Sequence, residues 1–289
     1  MISICENQFS AMNLLYSKSS MDYFLESISR LGIKNIELWG ASPYYCRLDT
    51  SLSDIIKIRR KIEKNNLKLV CFTPEQCIYP LNIASNNRYI RNKSIKFYMQ
   101  MAEVSGQLGT EKLLVTPGWC CYDENLSEGY KRSEESLHII AEITGKCGVE
   151  PVLEILQYAE SNLMYNLETT LWYADRLKDS EMNFCIDTVP VRACGQNLQN
   201  FFEKLGQRVR HVHLIDGTPT GHLVLGDGEH SIEEHLNALS ENDYDGYVTL
   251  EFGSSVYMKY PEVHMQRGWE YLKKMLPYRA HRKCQEEIV

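Results

Sequence analysis

The chain has 289 residues, 44% hydrophobic and 24% charged, enough apolar content for one sizeable core. A net charge of −7 and a pI near 5.7 argue against a nucleic-acid partner, which would call for a basic face. No apolar run reaches the roughly 20 residues that span a bilayer, the opening MISICENQFS does not have the form of a signal peptide, and ten cysteines without a CxxC point to a reduced, cytoplasmic protein.

Taken in order, short β-rich runs alternate with longer segments of helical period. A strand at 2–5 (ISIC) precedes a helix at 21–31, a strand at 35–40 (NIELWG) precedes a helix at 53–65, and a strand at 67–72 precedes a helix at 90–108. The pattern continues with a strand at 112–117 and helix at 133–147, a strand at 149–156 and helix at 167–177, and a strand at 183–188 and helix at 198–205. It closes with a strand at 209–215 and helix at 232–240, then a strand at 246–252 and a last helix at 263–276. Polar starters such as Ser53 and stops such as Gly32 punctuate the helices. Eight strand–helix units predict a (β/α)8 TIM barrel, an α/β fold in a single domain over 1–289, with 280–289 a flexible tail. A doubly wound open sheet is the alternative, but neither GxGxxG nor GxxxxGK[ST] follows the first strand.

In such a barrel the active site lies at the C-terminal ends of the strands. The fifth strand carries Glu154 (PVLEIL), the sixth Asp187 (NFCIDT), the seventh His213 (VRHVHLI) and the eighth Glu251 (VTLEF), each an ionisable residue late in an otherwise apolar run. His211 and His213 share one face of their strand, although an HxH pair alone is more often a core feature than a pair of ligands. Three carboxylates gathered on one axis would repel without a cation. The oxygen-rich set with one imidazole suits a single divalent metal ion, Mn²⁺ by preference, with Mg²⁺, Co²⁺ or Zn²⁺ also compatible.

These residues, with NIELWG, FTPE, LEILQYAESN, KLGQRVRHVHLID and LGDGEH, resemble the xylose isomerase-like superfamily of sugar isomerases and epimerases. Within it the chain resembles the ketose 3-epimerase branch, and its fructoselysine-type members most. The resemblance covers nearly the whole chain. It implies that Glu154, Asp187, His213 and Glu251 bind the metal, and that Glu154 and Glu251 are the catalytic acid and base on either side of a metal-stabilised enediolate. It also implies substrate contacts at Glu160, six residues beyond Glu154, and at His222 in the glycine-rich loop. Glu75, Trp119 and His211 are further candidates for the substrate pocket, each with a packing role as the alternative, and Glu37 and Trp39 face the barrel on one parity. The partner implied is a small sugar, with neither nucleic acid nor membrane, and family analogy points to a homo-oligomer.

The chain departs from the family at two loop positions. Free-ketose epimerases carry a histidine where this chain has Pro190 and an arginine where it has Pro219. Three-metal abasic-site endonucleases of the superfamily would need a histidine at Pro190 and an acid at Thr220. Thr220 also replaces an aspartate of the fructoselysine-type loop, which leaves the ketose open. An aldose–ketose or sugar-phosphate isomerase on the same site is the alternative activity, and a non-catalytic sugar-binding barrel the alternative of another class.

Overall fold

In the computed structural model, which describes residues 3–41, 43–45, 50–75 and 81–276, eight parallel strands close into a barrel in sequence order. They are β1 (Phe9–Met12), β2 (Asn35–Gly40), β3 (Lys68–Pro74), β4 (Lys112–Val115), β5 (Glu150–Glu154), β6 (Asn183–Asp187), β7 (Val209–Leu214) and β8 (Tyr247–Leu250). Helices α1 (Met21–Arg30), α2 (Leu52–Lys64), α3 (Arg88–Leu108), α4 (Leu126–Lys146) and α5 (Leu167–Arg176) follow the first five strands. Two helices, α6 (Thr188–Ala193) and α7 (Leu198–Leu205), follow β6, and α8 (Ile232–Glu241) and α9 (Pro261–Met275) complete the ring. Among the described residues no helix is long and apolar enough to cross a membrane.

Strand alternation sorts the side chains into two cores. Outward residues such as Phe9, Ile36, Phe72, Leu113, Leu153, Phe184, Val212 and Leu250 pack under the helices in one large cluster. Each fully buried aliphatic or aromatic side chain there contributes roughly 1.5–3 kcal/mol. Inside the barrel a smaller apolar layer of Val70, Cys71, Leu114, Val152 and Cys185 forms a floor, with Tyr247 packed against it. Lys112 lies 5.5 Å from the centre of the Tyr247 ring, and Lys68 Nζ donates to the Tyr247 hydroxyl at 2.7 Å. This apolar and cationic filling makes the barrel a packed core, not a pore, so polar chemistry is confined to the layers above it.

Two of the expected elements differ from the sequence reading by more than two residues at a boundary. The first strand is Phe9–Met12, not 2–5, of which residue 2 lies outside the described residues. Residues 3–5 run as coil, with the Ser3 amide on Ser240 Oγ at 3.0 Å and Ile4 buried. The strand is placed by its partners: Ser10 stands between Asn35 of β2 and Thr249 of β8, and its hydroxyl meets that of Thr249 at 2.6 Å inside the barrel. Non-local pairing of this kind outweighs the β propensity of ISIC. Helix α4 begins at Leu126 behind an Asn125 cap, two turns before the expected 133, because its first turns are polar and lack the apolar period. The tail 280–289 lies outside the described residues.

Candidate metal centre

Glu154 is the last residue of β5, Asp187 the last of β6, His213 the penultimate residue of β7, and Glu251 the first residue after β8. Register sets Asp187 beside His213, while Glu154 pairs with Cys185, one turn of the pleat lower on β6. Asp187 also caps α6 by accepting from the Val189 amide at 2.7 Å, which fixes its carboxylate at the strand exit.

One donor atom from each of the four residues lies within 4.8 Å of the others. His213 Nδ1 is 2.7 Å from Glu154 Oε1 and 2.9 Å from Glu251 Oε2. Yet Nδ1 and Glu251 Oε2 are buried atoms with no hydrogen-bond partner among the described residues. Donor atoms packed this closely, two of them unsatisfied, are arranged as ligands of a common cation are. Three carboxylates and one neutral imidazole nitrogen form a hard, compact set that fits one divalent ion. Burial, and then the neighbouring Glu251 and Glu37, push the Glu154 carboxyl up to about 7 despite the opposing His213. Burial with Glu251 and Glu154 raises Asp187 well above the usual carboxylate range. Burial alone would lower His213, but Cys185, Glu37, Glu251 and Glu154 together lift it well above an ordinary histidine.

Beneath His213 sits a second polar layer centred on Glu37, a fully buried carboxylate from β2. His213 Nε2 lies 3.1 Å from Glu37 Oε1, and His211 Nε2 2.7 Å from Oε2. Thr249 donates to Oε2 at 2.6 Å, and the Thr73 hydroxyl donates to Oε1. Burial would raise this carboxyl, but His213 and His211 hold it well below the usual range. For His211 the sequence leaves two readings, a substrate-pocket residue or part of the barrel filling, and its position matches the second. It is fully buried, with its ring spent on Glu37, and lies under the four donors.

The other predicted residues surround the mouth. The Trp39 indole donates to Glu75 Oε2 at 3.0 Å, tying the exits of β2 and β3. Trp119 and Glu160 border a cavity of about 480 Å³ together with Cys120, Tyr122, Tyr158 and Asn162, and no lysine or arginine lines it among the described residues. Trp119, Tyr122 and Tyr158 are 42%, 74% and 49% exposed, so their rings are available to a ligand. Glu160 folds back to accept from the Gln157 amide at 3.1 Å and lies near enough to His222 and Glu251 for their charges to act on it. The His222 carbonyl accepts from the Gly253 and Ser254 amides at 3.0 and 3.1 Å, joining the β7 loop to the β8 exit.

Sequence reasoning passed over the residues that hold this loop. Asp216 accepts from the amides of Gly217 (2.8 Å), Gly226 (2.8 Å) and His230 (3.0 Å), closing the glycine-rich segment on one carboxylate. The His230 ring lies between the carbonyls of Ile215 (3.2 Å) and Pro219 (2.8 Å). An acid directly after a strand and before glycine was the available signal for Asp216. Tyr122 and Tyr158 were signalled only by aromatics in the β4 and β5 loops.

The family model described as xylose isomerase-like TIM barrel matches residues 25–275. Fructoselysine 3-epimerase of Escherichia coli O157:H7 is 22% identical over 264 residues, 91% of this chain and 96% of that one. The probable endonuclease 4 of Mycobacterium ulcerans is 24% identical over 160 residues, 52% of this chain and 62% of that one. Among solved structures, D-psicose 3-epimerase from Clostridium cellulolyticum H10 superposes with a TM-score of 0.79 at 17% identity, over 93% of this chain and 99% of that one.

Proposed function

Since the chain belongs to the xylose isomerase-like TIM-barrel family, we propose that it is a divalent-metal-dependent epimerase inverting C3 of a ketose. The observation that carries this reading is the convergence of Glu154, Asp187, His213 and Glu251 at the strand ends. It is supported by similarity along most of the chain to a fructoselysine 3-epimerase. Glu154, Asp187, His213 and Glu251 would hold the cation, which when bound supplies Lewis acidity at the ketone oxygen. Glu154 and Glu251 bracket the His213 imidazole and serve as the acid–base pair. One takes the C3 proton, leaving the C3–H electron pair in an enediolate of the sugar. The other returns a proton to C3 from the opposite face, which inverts the centre with no net change of atoms. Glu160 and His222 contact the sugar, and Glu75 and Trp119 line its pocket. Mn²⁺ is the metal this oxygen-rich set favours.

The substrate is a ketose carrying an amine-bearing substituent of the fructoselysine or psicoselysine type. The cavity beside Glu160 supports this choice, because three aromatic rings and a carboxylate suit an ammonium group, while a phosphate would meet no basic side chain among the described residues. DNA repair is disfavoured by the acidic charge and by Pro190 and Thr220 at the positions of the extra ligands. The homo-oligomer expected for the branch is read by light scattering.

The test is a solvent-deuterium exchange screen of the Mn²⁺-loaded protein over free ketoses, glycated amino acids and sugar phosphates. Deuterium is expected at C3 of a glycated amino acid. Incorporation at C1 or C2 would make the protein an aldose–ketose isomerase. Absence of bound metal and of exchange with every ketose would make it a sugar-binding barrel.

A further inference from the structure

We propose that Glu37 is the positioning residue of this centre, a carboxylate inside the barrel that fixes the ring orientation and tautomer of His213. The inference rests on the reading of the four strand-end residues as a cation site and adds a residue outside the ligand set. An ionised carboxylate only accepts hydrogen bonds, so every hydrogen in its contacts must come from a partner. Glu37 has four such partners, the hydroxyls of Thr73 and Thr249 and the Nε2 atoms of His211 and His213. Nε2 of each histidine therefore carries the hydrogen. For His213 this leaves Nδ1 as the nitrogen facing Glu154 and Glu251.

The arrangement is over-determined. Residues of β3, β7 and β8 thus converge on one side chain of β2, and with its hydrogen committed to Glu37, Thr249 accepts from Ser10 of β1 behind it. Glu37 and His213 stand on strands that do not pair with each other, so the contact crosses the barrel interior. His211 uses its Nε2 on the same carboxylate, while its Nδ1 is buried without a hydrogen-bond partner, as expected for a neutral ring that packs the layer. Glu37, Cys71 and His211 also lie close enough together to suggest a second cation site. The four donors already on Glu37 and the buried thiol of Cys71, whose ionisation burial strongly opposes, argue against it. A carboxylate on the far nitrogen of a ligating histidine raises its basicity and locks its ring, and losing such a partner costs about 10–100-fold in metal affinity.

The test measures Mn²⁺ affinity by calorimetry for the wild type, Glu37→Gln and Thr249→Val. Glutamine can keep an acceptor oxygen on His213 while its amide faces His211 and Thr249, both of which can turn to accept, so what it removes is the negative charge that raises the basicity of the His213 ring. The metal-free variant should therefore melt close to the wild type. Expected for Glu37→Gln is an affinity loss of about 10–100-fold. Thr249→Val, which removes one neutral donor, should show a smaller loss. Nitrogen-15 spectra of the Mg²⁺-loaded wild type should show hydrogen on His213 Nε2. Wild-type affinity in Glu37→Gln, or hydrogen on Nδ1 in the wild type, would overturn the assignment while leaving the cation site intact. Should Glu37→Gln fail to fold, unchanged affinity in Thr249→Val does the same. A wild type that binds no divalent cation removes the functional reading and this inference together.

Discussion

Glu154 and Glu251 have two duties in the proposed chemistry, so their substitution is the sharpest test of a single residue. Glu154→Gln or Glu251→Gln is expected to lower C3 proton exchange by about 10²–10⁴-fold, with far-UV circular dichroism unchanged. Exchange close to that of the wild type in either variant would remove it from the acid–base pair. The Glu154 carboxyl, raised to about 7 chiefly by burial, also predicts how cation binding depends on pH. A cation must displace the proton held there. Affinity should therefore fall as pH drops through 7, by about tenfold per unit for each proton displaced, and the raised Asp187 and His213 extend that dependence to higher pH. Calorimetry in buffers of different ionisation heat counts those protons. The four donors were legible in the sequence because an acid or histidine inside an apolar strand is costly without a partner. The partner itself was not legible: Glu37 reads as one more inward residue of NIELWG until the barrel sets it against His213.

At the scale of the element, the loop after β7 depends on close backbone approach to Asp216. A Cβ at Gly228 would run into Asp216 Oδ1 and the backbone of Gly217. Gly228→Ala should therefore loosen the loop that carries His222. The expected outcome is a several-fold rise in KM with a melting temperature lower by a few degrees, read by steady-state kinetics and thermal melting. Helix α8 carries a separate pH dependence in His235, which burial, with His230 and Arg192 adding to it, pushes down to about 3. Its Nε2 is buried without a hydrogen-bond partner. The unfolded chain takes up this proton near pH 6.5 and the folded chain does not. The stability contribution is thus complete above pH 6.5 and declines as pH falls from 6.5 towards 3. At pH 5.5 the loss from this group is about 1.4 kcal/mol. Denaturant melts of His235→Leu should show a shallower decline over that range, and an unchanged slope would clear His235 of the effect. Most helices were legible to within a few residues, since α1, α2, α7 and α8 combine polar caps with an apolar stripe. The start of α4 was not, because its opening turns are held by Asn125 and by Gly129 packed on Cys120.

For the whole molecule, the proposed cation, held by β5, β6, β7 and the β8 exit, would link four neighbouring strands of the closed barrel. A ligand that binds only the folded state at 100 times its Kd stabilises it by about 2.7 kcal/mol. Removing metal with EDTA should therefore lower the melting temperature by several degrees, with Mn²⁺ restoring it, and an identical melt in both states would count against the site. The linear order of residues determined the alternation of strand and helix, because the periods 2 and 3.6 are local properties of the chain. It also determined which strand ends carry ionisable groups. Closure of the barrel decided the rest. Pairing on both sides made FSAM the first strand in place of ISIC, and strand register stacked His213 on Glu37 and sank His211 beneath it. Contacts between residues as far apart as Glu37 and His213 depend on how every intervening strand registers with its neighbour, and no local pattern in the sequence encodes that sum.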